Sequence, residues 1–158
     1  MKSWMVIAAI SFLVAWGGNR FLTREGIRWF NRQRRPQWLT FEGAIPLIWI
    51  VIFICATWSA VVVWETAPGQ PVTWLVMGGY LLLEMVTIAY TPVMCKLRRL
   101  KVGTIIGGIG FLLSLLLALL VGKISTTAGF LLLPYILWSP IGTYTTWEMM
   151  RLNQEDRD

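Results

Sequence analysis

Residues 131–153 read LLLPYILWSPIGTYTTWEMMRLN. The first dozen are apolar enough to lie in lipid, yet the stretch holds Pro134, Pro140, Gly142, Tyr135, Tyr144, Trp138, Trp147 and Glu148. Crossing a bilayer needs only about 20 apolar residues, so this surplus of rings, hydroxyls and helix-bending residues marks a helix that does more than cross. The rest of the chain agrees. Of 158 residues, 56% are hydrophobic and 14% charged, and the mean hydropathy is +0.63; soluble domains carry about a quarter charged residues. Apolar runs of spanning length occur at 3–22, 43–64, 72–95, 103–122 and 128–150. Backbone polar groups in lipid must be satisfied within each segment. The expected fold class is therefore all-α: an integral membrane bundle of five transmembrane helices, one domain over 1–158, with no repeat and no separate soluble part.

Twelve of the fourteen lysines and arginines fall in the first loop (Arg20, Arg24, Arg28, Arg32, Arg34, Arg35), the third loop (Lys96, Arg98, Arg99, Lys101) and the tail (Arg151, Arg157), with Lys2 and Lys123 opposite. By the positive-inside rule the N-terminus lies outside and the C-terminus in the cytoplasm. The net charge of +6 is thus first a topology signal and second an attraction to anionic lipid head groups; such short loops leave no surface for nucleic acid. Lys2, the apolar run and Ala15-Trp16-Gly17 also resemble a signal peptide, but removal would leave four helices with both termini on one face, and the segment is read as a retained helix.

There is no histidine, which excludes Ser-His-Asp and Cys-His catalysis, histidine metal sites and imidazole-held haem. No metal site is expected. Cys55 and Cys95 sit in apolar helices without CxxC spacing and read as small hydrophobes. Gly103, Gly107, Gly108 and Gly110 are spaced for close helix packing, Gly103 and Gly107 forming a GxxxG that suits packing within the bundle or dimerisation.

Ten tryptophans remain to be explained. Trp4, Trp29, Trp64, Trp74 and Trp147 lie near helix ends and suit an interfacial belt. Trp49 and Trp138 lie deeper, each three or four residues after a proline, Pro46 and Pro134. Helical spacing puts Trp138 on one side with Tyr135, Gly142, Thr145 and Thr146, and aligns Tyr80, Glu84, Thr87 and Tyr90 with Thr91 on the third long helix. Polar groups facing lipid are expensive, so both faces should point inward, with Glu84 neutral or bonded to a hydroxyl. Such an interior suits a flat apolar ligand bearing a few polar groups. The plainer reading is a closed core whose hydroxyls bond nearby carbonyls.

Several motifs in order resemble the translocator protein, or tryptophan-rich sensory protein, family: Trp29-Phe30, PQW at 36–38, PLIW at 46–49, YTPVMCKLRR at 90–99, PYILW at 134–138 and RLN at 151–153. The resemblance implies a five-helix membrane protein, often a homodimer, that binds porphyrins and related tetrapyrroles under a lid formed by the first loop. It implies ligand-binding roles for Trp29, Trp38, Pro46, Trp49, Phe53, Glu84, Thr87, Tyr90, Tyr135, Trp138, Gly142 and Thr146. The lid arginines Arg28, Arg32, Arg34 and Arg35 are candidates to pair with propionates. No cofactor is required; the porphyrin is the ligand. Departures from the family pattern are Thr40 and Phe41 in place of a double proline, Thr87 and Thr146 in place of asparagines, and Tyr90 in place of a tryptophan. Trp147 and Arg151 stand where eukaryotic members have a cholesterol-recognition tyrosine and base, so sterol binding is not expected. Three functions compete: binding with stress sensing, transport of the tetrapyrrole or a lipid, and light-dependent porphyrin degradation using Trp49 and Trp138. Binding and sensing is preferred, since five helices offer no inverted repeat of the alternating-access kind and no acid–base pair is present.

Overall fold

The computed structural model describes residues 2–154; Arg157, counted above with the cytoplasmic charges, lies outside them. The described residues are helical or loop. Helix α1 (Ser3–Asn19) turns sharply into α2 (Arg24–Asn31), the two axes meeting at 78°. Thr23 starts α2, its hydroxyl accepting the Gly26 N–H at 3.1 Å, an N-cap that satisfies an otherwise orphan donor. A 3-10 turn (Glu42–Ala44) leads into α3 (Ile45–Thr66), where Pro46 occupies the first turn and so loses no helical hydrogen bond. Helix α4 (Pro71–Leu97) ends at Arg98, which adopts a left-handed conformation (φ 51°), and α5 (Leu100–Ile124) follows at once.

The fifth expected span, 128–150, is divided. A short α6 (Thr126–Leu131), capped by Ser125, breaks at Leu132 before α7 (Leu133–Gln154). Among the described residues, three segments are long and apolar enough to cross a membrane, namely Glu42–Thr66, Pro71–Leu97 and Leu100–Ile124, and the bent pair α1–α2 is a fourth when counted as one span. Two features depart from the even five-run pattern of the sequence. Helix α1 has 17 residues because the chain bends at 20–23, and α7 carries prolines, hydroxyls and Glu148 along its length.

The helices close into a ring in the order α1, α4, α5, α7 with α6, and α3. The main core is formed by Ile52, Val63, Val76, Leu83, Leu117, Val121 and Leu132. Within it Ser59 donates to the Ala128 carbonyl at 2.6 Å, so its one proton is spent and Tyr80 must donate to Ser59, at 2.5 Å. A second cluster of Met94, Cys95, Leu100 and Met149 lies at the α2 end, where a Cβ on Gly26 would come within 2.9 Å of Cys95 Cβ. Only a glycine lets α2 lie so close to α4. The GxxxG face is consumed inside the bundle: a Cβ on Gly103 would meet Met94 and Thr146, and one on Gly107 would meet Thr143 and Tyr90.

Candidate ligand site

Chain order and contact order run together along one side of the molecule. Arg34 N–H donates to Asn153 Oδ1 at 3.0 Å and Asn153 Nδ2 donates back to the Arg34 carbonyl at 3.3 Å. Four residues on, Trp38 Nε1 donates to Glu148 Oε2 at 2.6 Å and its ring stacks on Tyr144, with centroids 6.0 Å apart. Phe41 then meets Trp138 edge-on at 6.3 Å, Trp49 meets Tyr135 edge-on at 6.1 Å, and Ser59 reaches Ala128. The first loop is thus a strap laid antiparallel along α7, continued by α3. Arg35 stiffens it by donating from Nη1 to the carbonyls of Phe30 and Gln33, both at 2.6 Å, and from Nε to Glu42 at 3.2 Å. That guanidinium is spent on the loop itself.

One turn past the strap's last contact, at Tyr135, a cavity of about 40 Å3 lies between α1, α3, α4 and α7. Trp49, Phe53, Glu84, Thr87 and Tyr135, all named from the sequence, line it. Sequence reasoning did not single out Ser11, Ala56, Thr57 and Leu83, which line it too; the signal for two of them was helical spacing, since Ala56 and Thr57 follow Phe53 by three and four residues. Thr87 donates to the Leu83 carbonyl at 2.7 Å, so Tyr135 donates to Thr87, also at 2.7 Å. Glu84 Oε1 is shielded from solvent and has no hydrogen-bond partner among the described residues.

Trp138 sits three residues beyond Tyr135, about 4.5 Å along the helix, packed on the same core and covered by Phe41. A Cβ on Gly142 would meet only Trp138 Nε1, at 3.9 Å, so this glycine opens space beside the indole. Trp38 belongs to the strap, and Pro46 is exposed at the start of α3. The remaining three lie elsewhere. Trp29 packs on the second cluster, and Tyr90 is hydrogen-bonded to Thr146 in the seam between α4, α5 and α7. Since Thr146 donates to the Gly142 carbonyl, Tyr90 is the donor of that pair. Phe41, Tyr144 and Glu148 are the strap contacts that periodicity did not reveal. Beyond them, Arg151 lies over the Trp147 ring at 5.0 Å.

The profile of the TspO/MBR family matches residues 6–152. The chain belongs to the TspO/MBR family. Among its relatives are the tryptophan-rich protein TspO of Bacillus cereus, 25% identical over 125 residues that cover 79% of this chain and 80% of the relative, and the uncharacterized membrane protein YtaB of Bacillus subtilis, 24% identical with coverage of 79% and 80%. Protein CrtK of Rhodobacter capsulatus is 21% identical, with coverage of 82% and 81%. The match spans the strap, the cavity and the α4–α7 seam. Membership makes this a membrane protein, in keeping with its apolar helices.

Proposed function

We propose that this protein binds a planar tetrapyrrole of the porphyrin type between α3, α4 and α7, beneath the strap, and serves to sense or regulate that ligand. One observation carries the reading: a strap fastened by separable contacts, through Asn153, Glu148, Tyr144 and Trp138, ends on Trp138 one helical turn from an aromatic recess formed by Trp49, Phe53 and Tyr135. At about 40 Å3 the recess holds about three waters, at roughly 10–15 Å3 each, whereas ligand pockets run to about 300–1,000 Å3. Binding therefore requires the strap to lift, freeing the face of Trp138 and the space beside Gly142. Ring stacking on the indoles supplies the affinity, and Arg28 and Arg32, exposed on α2 and at its end, are the candidates to pair with propionates.

In this reading the chain crosses the membrane five times, with the N-terminus outside and the C-terminus in the cytoplasm. Helix α7 tolerates lipid because Thr143, Thr145 and Thr146 donate to the carbonyls of Ser139, Ile141 and Gly142, which removes the cost of bare hydroxyls. The basic residues of α2 and of the α4–α5 turn share one end, where Arg98 pairs with Glu25 at 3.5 Å. A homodimer would use a face other than the occupied Gly103–Gly107 one. The test is purified protein titrated with protoporphyrin in the dark, then illuminated. Saturable tryptophan quenching with stable porphyrin absorbance supports binding. Protein-dependent loss of absorbance would make it a degrading enzyme, and uptake into proteoliposomes a transporter.

A further inference from the structure

A second, larger hollow lies on the outside of the bundle. Between α1 and α3 runs a crevice of about 720 Å3, open along its length. Its floor on α1 is made of small residues one helical turn apart, Ala8, Ser11 and Ala15, and its walls are Phe12 and Trp58, which are 68% and 62% exposed. Small residues leave the trough, and large apolar ones extend its sides into the lipid. Ser11, Phe53 and Thr57 line both this crevice and the inner cavity. They form the threshold between the two.

Across that threshold stands Glu84, with Oε1 shielded and lacking a donor. At the far end of the crevice stands Glu65, which accepts from Ser3 at 3.3 Å. Among the described residues, no lysine or arginine lines either space. A carboxyl oxygen without a donor in apolar surroundings is costly, and an apolar trough with one carboxyl at its end and a second across its threshold is complementary to an amphiphile with a cationic or amine head. Trp4, Phe12 and Trp58 along the crevice add ring faces that attract ammonium groups.

We propose that the α1–α3 crevice is a lipid-side binding site for single-chain amines, whose head passes Ser11 and Thr57 to Glu84 while the tail lies in the trough. If the amine enters neutral and Glu84 is protonated, the carboxyl proton moves to the amine nitrogen and the result is an ammonium–carboxylate pair. The crevice lies apart from the strap and Trp138, while the head shares the inner cavity with Trp49, Phe53 and Tyr135; amine binding is read with no tetrapyrrole present and does not depend on one.

The test uses full-length protein in phosphatidylcholine nanodiscs, which carry no net surface charge, with binding followed by tryptophan fluorescence. The probes are dodecylamine and its neutral analogue dodecanol. Dodecylamine is expected to bind about 10- to 100-fold tighter than dodecanol, the range of a charge-assisted hydrogen bond. Glu84→Gln should erase that preference, Glu84→Asp should keep most of it, and Glu65→Gln should leave it within about twofold, since a surface carboxylate contributes little. Ser11→Leu, which fills the threshold and removes the hydroxyl that hydrogen-bonds Glu84, should abolish the preference while the carboxyl itself remains. Equal affinity for the two probes would make the crevice an ordinary lipid groove and overturn the proposal. So would a preference that survives Glu84→Gln or Ser11→Leu, one lost with Glu65→Gln, or a crosslink showing a second copy seated in the crevice with no amine bound.

Discussion

Two tyrosine–threonine pairs join α4 to α7, and they differ in everything but chemistry. In one, Tyr135 of α7 donates to Thr87 of α4 on the wall of the cavity beside Glu84. In the other, Tyr90 of α4 donates to Thr146 of α7 in a seam closed by Gly103 and Gly107. Both threonine hydroxyls donate a hydrogen bond to a carbonyl one turn back. The same residue types therefore line a cavity in one place and make a packed joint in the other, and the presence of space decides which.

The sharpest way to separate them is through their glycines. Gly103→Leu is expected to lower stability by about 3 kcal/mol or more, because its side chain would enter the space of the fully buried Met94. Gly142→Leu is expected to leave the unfolding midpoint nearly unchanged, within about 1 kcal/mol, while porphyrin affinity falls at least tenfold. Thermal unfolding in detergent beside a quenching titration reads both, and a Gly142 variant that unfolds as early as the Gly103 one would place it in the joint instead.

A smaller effect is expected from the pairs themselves. Thr87→Val and Thr146→Val should each cost about 1–3 kcal/mol by stranding a tyrosine hydroxyl; only the first should alter ligand affinity. If Thr146→Val changes affinity equally, the seam opens on binding and the two regions are one. On the strap, Trp38→Phe keeps the ring on Tyr144 but removes the bond to Glu148, a loss of about 1.5–3 kcal/mol for a bond to a charged group. Faster proteolytic nicking within residues 34–41, with an unchanged global midpoint, is the expected readout. Smallest of all is Glu84→Gln, which should fold with a midpoint close to the parent's; failure of Gln where Asp is tolerated would show a paired charge rather than a neutral carboxyl.

Helices α3, α4 and α5 were legible because apolar length and bracketing Pro, Gly and Arg residues are local properties. The inward faces were legible too, from spacing alone. The division at Leu132 and the shortness of α1 were not, since both depend on how the chain turns against its neighbours. Thr87, Tyr90, Tyr135 and Thr146 read alike in the sequence, and nothing local says that a void lies beside one pair and glycines beside the other. Trp29 shows the same limit: a motif residue in the first loop, it packs on Met94 and Cys95, away from the cavity. The strap contacts Phe41–Trp138 and Trp38–Glu148 span about a hundred residues of chain, beyond the reach of any periodicity.

In the proposed complex Trp49 and Trp138 flank one ligand, and dark titration with protoporphyrin reads the share of each. Trp49→Phe and Trp138→Phe are each expected to weaken binding by about 2- to 10-fold, as a smaller ring replaces the indole, while Trp74→Phe at the exposed end of α4 and Trp29→Phe in the second cluster leave it unchanged. Equal losses in all four variants, or binding unaffected by Trp49→Phe and Trp138→Phe together, would contradict it.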